Sequence, residues 1–192
     1  CFIGESNPAY SRSHKSNLPW LSKIQLCKPE SAWLNFSCEL PHETVDILID
    51  GDDWLYASDV FDIVALTYRN TNCLITYGSL IHTGGNGTFG KKYPLRTIFT
   101  NTYRKTNWCG THLRTFRHDL WLKINHDDLK DNNGNYFDTA WDLAIMLPML
   151  EMAGNRQQFI SEVLYAYNDN NPISDHRIRR KEQILAAKEI RK

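Results

Sequence analysis

An apolar run that leads directly into three aspartates is the feature that most constrains this sequence. Residues 45–49 read Val-Asp-Ile-Leu-Ile, and Asp50, Asp52 and Asp53 follow at once. A short apolar run of this kind is typical of a strand buried in a parallel sheet. Carboxylates crowded at the end of such a strand repel each other and lose hydration unless a cation lies among them. The pattern therefore favours an α/β fold with a divalent-metal site at the carboxyl edge of its sheet, where open α/β folds bind ligands.

The three carboxylates also indicate which metals would bind. Mg²⁺ and Mn²⁺ prefer oxygen ligands, and such an ion commonly bridges the phosphates of a nucleotide. The alternative interpretation is a solvated acidic turn that follows a strand. We favour the metal site because a solvated turn seldom joins an apolar strand to three acids and a tryptophan, Trp54.

The composition is that of a globular protein. The chain has 192 residues, enough for one domain, and 42% of them are hydrophobic. Lys plus Arg equals Asp plus Glu, at 22 each, so the net charge indicates neither a nucleic-acid partner nor a membrane surface. No apolar run approaches the roughly 18–20 residues that span a bilayer, and no signal segment opens the sequence. We therefore expect no nucleic-acid partner and no transmembrane segment.

The cysteines and sequons bear on location. The number of cysteines is odd, they lie far apart and no Cys-x-x-Cys pair occurs, which favours reduced thiols in the cytoplasm over a disulfide framework. We interpret the sequons at Asn35 and Asn86 as chance occurrences. The five cysteines are Cys1, Cys27, Cys38, Cys73 and Cys109.

The pattern along the chain predicts strands that alternate with helices, and hence one α/β domain. At the front we expect a strand end at residues 1–4 and short helices at 20–27 and 32–40. After the strand at 45–49, Ser58 and Asp59 cap a predicted helix that runs to about Tyr68, with apolar residues at near-helical spacing: Val60, Ile63, Val64 and Tyr68. The pattern then predicts a strand at 73–81, a glycine-rich loop at 83–92 and a strand end turning into a helix within 112–125. Further on it predicts a polar linker at 127–135, a helix at 139–154 kinked by Pro148, a strand at 159–167, a loop at 168–175 and a basic helical tail beyond it.

Four stretches within residues 45–176 carry a family resemblance. Residues 50–55 read Asp-Gly-Asp-Asp-Trp-Leu, an Asp-x-Asp motif, and residues 112–116 read His-Leu-Arg-Thr-Phe. Asp142 opens an apolar helix that ends at Gly154, and residues 159–175 form a strand and loop. In this order and spacing, which covers about two-thirds of the chain, they resemble the family 2 glycosyltransferases of the GT-A fold. The resemblance implies a GT-A fold with a mixed central sheet flanked by helices.

The resemblance also implies a ligand set. Asp52 would ligate Mn²⁺ or Mg²⁺, Asp50 would contact both the metal and the nucleotide, and Asp53 would support the site. His176 lies where some GT-A enzymes present a late metal ligand, although a structural histidine is the alternative. Arg114 would bind the diphosphate of the donor, and His112 would contact the donor or the acceptor. Their alternatives are a satisfied half-buried histidine and a salt bridge to a nearby aspartate.

Asp142 is the residue that the resemblance marks as the catalytic base. A transfer that inverts the anomeric carbon needs one carboxylate to take the proton of the acceptor hydroxyl. The alternative is that Asp142 merely caps its helix.

The function that follows is an inverting, metal-dependent glycosyltransferase. It would move a sugar from a nucleoside-diphosphate donor, expected to be a UDP-sugar, to a hydroxyl of a glycan or other acceptor. The alternatives are a metal-dependent phosphohydrolase or nucleotidyltransferase, and a degenerate transferase domain without activity. We expect a single domain with three parts. Only 49 residues precede Asp50, which is short for the nucleotide-binding part of this family, so we expect 1–44 to form an incomplete one. Residues 45–176 would form the metal and acceptor part, and 177–192 a basic tail.

Overall fold

A seven-stranded mixed sheet forms the centre of the molecule. The computed structural model describes residues 25–26 and 44–192. The order across the sheet is β1-β2-β6-β4-β7-β3, and β5 forms a hairpin with β4. The strands are β1 (Gln25–Leu26), β2 (Val45–Ile49), β3 (Trp54–Leu55), β4 (Ile75–His82), β5 (Thr88–Phe89), β6 (Arg114–Arg117) and β7 (Gln157–Tyr167).

The direction of the strands makes the sheet mixed. Strand β2 runs parallel to β1, and β4 runs parallel to β7. Strand β6 lies between β2 and β4 and is antiparallel to both. Strands β2, β4 and β7 therefore end at one edge of the sheet, and β6 begins at that same edge.

Helices cover both faces of the sheet. Alternate residues of β2 point to opposite sides, so that Ile47 packs with α1 while Leu48 packs with α4. Every residue of α4 from position 143 to 150 is buried, which is typical of a helix that is apolar all round. The α/β class with a mixed sheet flanked by helices is thus confirmed. The helices are α1 (Val60–Thr71), α2 (Leu95–Thr100), α3 (His118–Trp121), α4 (Trp141–Ala153), α5 (Asp175–Ile178) and α6 (Arg180–Ile190).

Burial of β2 on both sides fixes the position of the aspartates that follow it. Val45, Ile47, Leu48 and Ile49 are all buried. Each such side chain stabilises the fold by about 1.5–3 kcal/mol relative to an exposed one. The carboxyl end of β2 is therefore a rigid support for Asp50.

Most predicted elements are present, with shifted bounds. Helix α1 runs to Thr71 and ends where Asn72 adopts a left-handed conformation, while Asp59 at its start makes no side-chain capping bond. Helix α4 continues through Pro148. The expected helix at 20–27 is wrong at Gln25 and Leu26, which form a strand. Of the expected nucleotide-binding part, the structure describes only Gln25, Leu26 and Thr44. The predicted strand end at 1–4 and the predicted helix at 32–40 therefore lie outside the described residues.

The basic tail packs against the domain. It is interrupted at Arg179, between α5 and α6, and its last helical residue, Ile190, is buried. The side chain of Arg104 donates to the carbonyl of Ile190 and forms a salt bridge with Glu151, Nε to Oε1, at 2.7 Å. The Arg191 guanidinium donates to the carbonyl of Arg104 at 2.8 Å. These contacts fix α6 beside α4. None of the helices in the described part combines the length and apolar character needed to cross a bilayer.

Candidate active site

The strand directions bring distant residues to one edge of the sheet. Leu48 in β2 lies opposite Arg114 in β6, so the turn that follows β2 lies beside the residues that precede β6. Asp50 and His112, more than sixty positions apart in sequence, meet there. Strand β7 ends at the same edge with Tyr165 and Tyr167.

Asp50, Asp53 and His112 form a group that can hold a metal ion. One ligand atom from each residue lies within 4.8 Å of the others. The Nε2 atom of His112 is 3.2 Å from Oδ2 of Asp50. Two carboxylate oxygens and an imidazole nitrogen are a donor set that suits Mn²⁺, which accepts nitrogen as well as oxygen ligands.

Tyr165 and Asn168, at and just beyond the end of β7, hold this group in place. The backbone N–H of Asp50 donates to the hydroxyl of Tyr165 at 3.0 Å. The Tyr165 ring stacks on the imidazole of His112, with centroids 4.4 Å apart and planes 8° from parallel. The backbone N–H of Asn168 donates to Oδ1 of Asp53 at 2.7 Å. All three members of the group are thus positioned by β7 and the residue after it.

Several buried polar atoms at the site have no hydrogen-bond partner in the described part of the chain. They are Oδ2 of Asp53, Nδ1 of His112 and Nη1 of Arg114, whereas Nε2 of His112 has Oδ2 of Asp50 at 3.2 Å. A buried polar atom without a partner costs about 1–3 kcal/mol, so a fold seldom leaves several together unless a ligand satisfies them. The carboxylate oxygen of Asp53 and whichever imidazole nitrogen of His112 carries no proton are electron-pair donors, so they fit a cation. The Arg114 nitrogen is an N–H donor and fits an anion.

The site shifts the pKa values of its members in different directions. Burial, together with the charges of Asp50 and Asp52, raises the pKa of Asp53 to about 7, although the N–H of Asn168 opposes this. Burial also raises the pKa of Asp50, but His112 and the charge of Arg114 outweigh it, so the net shift is downward. Burial and the charge of Arg114 lower the pKa of His112, so its ring is neutral at pH 7, the form that binds metals.

Arg114 connects the metal-capable group to Asp142. Its Nη2 lies 2.7 Å from Oδ2 of Asp142, and its Nε donates to the carbonyl of Gly110 at 2.9 Å. The indole of Trp108 lies against Gly110 so closely that a Cβ there would be 2.6 Å from the ring. Arg114 is buried, whereas 28% of the Asp142 side chain is exposed. The salt bridge between Arg114 and an aspartate, which is the alternative to a role of Arg114 in donor binding, is therefore present, and Asp142 can still be reached from solvent.

Two of the predicted metal ligands lie outside the group. Asp52 is exposed, and its carboxylate accepts from Nδ2 of Asn171. His176 is exposed, and its Nδ1 lies 3.2 Å from the hydroxyl of Tyr167. No observation tests their ligand roles, and the ligand set proposed below does not include them.

Asp169 is a structural residue at this edge that sequence reasoning missed. It is buried and accepts from the backbone N–H of Gly84 and from Nδ2 of Asn86, both at 2.6 Å. It thereby joins the glycine-rich loop after β4 to the loop after β7. A cavity of about 370 Å³ lies between these loops, bordered by Tyr167 and His176. The only signal in the sequence is an aspartate shortly after a strand.

Comparison with solved structures finds similarity to S. aureus TarS. No family model matches the sequence, and no curated protein matches it. The structure of S. aureus TarS 1–349 in complex with UDP-GlcNAc is 17% identical, with a TM-score of 0.43, over 65% of this chain and 34% of that chain. A structure of S. aureus TarS is 16% identical, with a TM-score of 0.42, over 74% of this chain and 24% of that chain. TarS 1–349 in complex with UDP is 14% identical, with a TM-score of 0.38, over 75% of this chain and 40% of that one. The chain thus spans about a quarter to two-fifths of these chains.

Proposed function

We propose that the protein is a metal-dependent glycosyltransferase that uses a nucleoside-diphosphate sugar. The observation that carries the proposal is the convergence of Asp50, Asp53 and His112, where Oδ2 of Asp53 and Nδ1 of His112 have no hydrogen-bond partner among the described residues. Mn²⁺ or Mg²⁺ held by these residues would neutralise negative charge on a diphosphate leaving group. The resemblance of the Asp-x-Asp region to family 2 glycosyltransferases supports the same assignment.

Arg114 is the residue proposed to bind the diphosphate. Its guanidinium is buried, its position is fixed by Gly110 and Asp142, and Nη1 has no partner among the described residues. A guanidinium binds phosphate oxygens through charge-assisted hydrogen bonds. The Nη1 donor would therefore orient the donor substrate beside the group of Asp50, Asp53 and His112.

Asp142 is the proposed general base. Arg114 contacts only its Oδ2, so Oδ1 remains available to an incoming hydroxyl. As the acceptor oxygen forms a bond to the anomeric carbon, its proton passes to Asp142, and the bond between that carbon and the diphosphate breaks. Attack from the face opposite the leaving group inverts the anomeric centre. The acceptor is a hydroxyl of a glycan or another molecule.

The ligand set can be tested with two matched pairs of variants. Asp50→Asn and His112→Gln remove members of the group, whereas Asp52→Asn and His176→Gln change exposed neighbours. We expect the first pair to abolish Mn²⁺-dependent turnover, and the second pair to change it less than ten-fold. UDP-GlcNAc, the ligand in one TarS structure, is the first donor to test, followed by a panel of UDP-sugars.

The product and a binding measurement separate the proposal from its alternatives. A transferase releases UDP and forms a glycosidic bond, whereas a phosphohydrolase releases inorganic phosphate. Calorimetric titration with UDP and Mn²⁺ should give saturable heat. No heat with any nucleotide, together with no turnover, would identify an inactive domain. Loss of metal dependence in Asp52→Asn but not in Asp50→Asn would contradict the ligand set proposed here.

A further inference from the structure

A second cavity lies at the opposite edge of the sheet from the acidic site. Its volume is about 490 Å³, within the usual range of small-molecule sites. Val45 at the start of β2, Leu74 just before β4 and Arg156 just before β7 border it. Ala65 and Tyr68 of α1 and Leu120 of α3 also belong to its apolar lining.

The charged groups that line this cavity are mostly cations. Arg69, Arg117, Lys123 and Arg156 border it, and Asp119 is the one carboxylate among its described lining residues. The chain as a whole has equal numbers of acidic and basic residues, so this excess of three positive charges is local. The cations come from separate segments of the chain, so the fold assembles the positive charge.

Three of these cations have no carboxylate partner among the residues that the structure describes. In the part of the chain that the structure describes, no acidic group lies within ion-pair distance of Arg69, Lys123 or Arg156. Like charges gathered in a concave surface raise its positive potential, and this potential attracts anions. The excess of charge therefore favours an anionic ligand.

Two of the guanidinium groups are held in position before any ligand arrives. Arg156 donates from Nε and Nη2 to the backbone and side-chain oxygens of Asn72, at 3.3 and 3.4 Å. The guanidinium carbon of Arg117 lies 5.1 Å from the centroid of the Tyr68 ring. The Tyr68 hydroxyl is itself 2.9 Å from the hydroxyl of Thr115. Because Arg156 contacts only the neutral oxygens of Asn72 here, these contacts fix the position of its charge without neutralising it.

We propose that this cavity binds a small oxyanion of the phosphate class. Guanidinium groups match phosphate oxygens in geometry, and a lysine adds a compact charge. The cavity has room for one or two phosphate groups with part of the molecule that carries them. The proposal does not depend on the proposed transferase activity, because the cavity shares no residue with the acidic site.

Calorimetric titration with inorganic pyrophosphate in the presence of EDTA tests the proposal. EDTA removes divalent cations, so it suppresses metal-dependent binding at the acidic edge. We expect saturable binding to the wild-type protein that weakens as salt is added. The double variant Arg69→Gln with Lys123→Gln should weaken binding at least ten-fold. Both side chains are exposed, so the variant should fold, which circular dichroism will verify.

The matched control changes two cations elsewhere. Arg180→Gln with Lys181→Gln removes the same net charge from the exposed surface of α6. We expect it to alter the pyrophosphate Kd less than three-fold. No saturable binding by the wild-type protein would overturn the proposal. Equal Kd values for the wild-type protein and the Arg69/Lys123 variant would overturn it as well, since binding would then reside at Arg114 or on the general surface.

Discussion

Replacing Asp53 with asparagine should stabilise the metal-free protein, and the gain should depend on pH. The pKa of Asp53 rises from an ordinary 3.8 to about 7 on folding, chiefly through burial. The folded state therefore keeps the proton between pH 4 and 7, where the unfolded state has lost it. The free energy of unfolding consequently falls as pH rises through this window, and the loss is complete above pH 7.

The size of the effect follows from the shift. At about 1.36 kcal/mol per pKa unit, a shift of this size corresponds to roughly 4 kcal/mol. Asp53 is partly exposed, so solvent screening reduces this to roughly 2 kcal/mol. Asparagine is uncharged, and its Oδ1 can still accept from the N–H of Asn168. Asp53→Asn should thus match the wild-type protein near pH 4 and exceed it by about 2 kcal/mol at pH 8.

Urea unfolding at pH 4.5 and pH 8, each with EDTA and with Mn²⁺, measures this difference. At a Mn²⁺ concentration about 100 times its Kd, the wild-type protein should gain about 2.7 kcal/mol, and Asp53→Asn should gain far less. Asp52→Asn is the control, because Asp52 is exposed, and its effect should stay within about 0.5 kcal/mol. The reasoning fails if Asp53→Asn has the same effect at both pH values, or if Mn²⁺ stabilises it as much as the wild-type protein.

Three further predictions concern the base, the metal and a loop. Asp142→Asn should lower kcat by about 10²–10⁴ while the donor Kd measured by calorimetry stays unchanged; weakened donor binding with intact transfer would reverse that assignment. Mn²⁺ affinity should rise as pH increases through 7, because Asp53 must lose its proton, and calorimetry in two buffers of different ionisation enthalpy should detect proton release at pH 7. Gly84→Ala should lower the free energy of unfolding by about 1–3 kcal/mol, since its Cβ would lie 2.7 Å from Oδ1 of Asp169, whereas Gly51→Ala, with nothing within 4 Å, should change it little.

The local pattern of the sequence was enough to predict the sheet edge that carries the acidic residues. An apolar run followed by three acids identified β2 and the turn after it, because burial on both faces leaves a strand with few polar positions. The amphipathic spacing of Val60, Val64 and Tyr68 likewise predicted α1. These features depend on neighbours in the sequence, so they can be recognised without the structure.

The membership of the metal-capable group could not be predicted in the same way. His112 reaches Asp50 only because β6 runs antiparallel between β2 and β4, and no local pattern reveals that pairing. Position in the chain favoured His176, but the loop after β7 places this side chain beside Tyr167. The resemblance implied Asp52 as the metal ligand. In the structure Asp52 is exposed, and it is the partly buried Asp53 that lies with Asp50 and His112. Which of these residues bind the metal is decided by the paired variants above.

The site is built from two segments that are far apart in the chain and that the antiparallel strand β6 brings together. The turn after β2 supplies Asp50 and Asp53, while the segment before β6 supplies His112 and Arg114. Substitutions or insertions between α2 and β6 would therefore remodel the wall around Arg114 without altering the backbone that carries the two aspartates. The segment before β6, in which the indole of Trp108 lies against Gly110, can therefore change the shape of the site while the turn that carries Asp50 and Asp53 keeps its backbone.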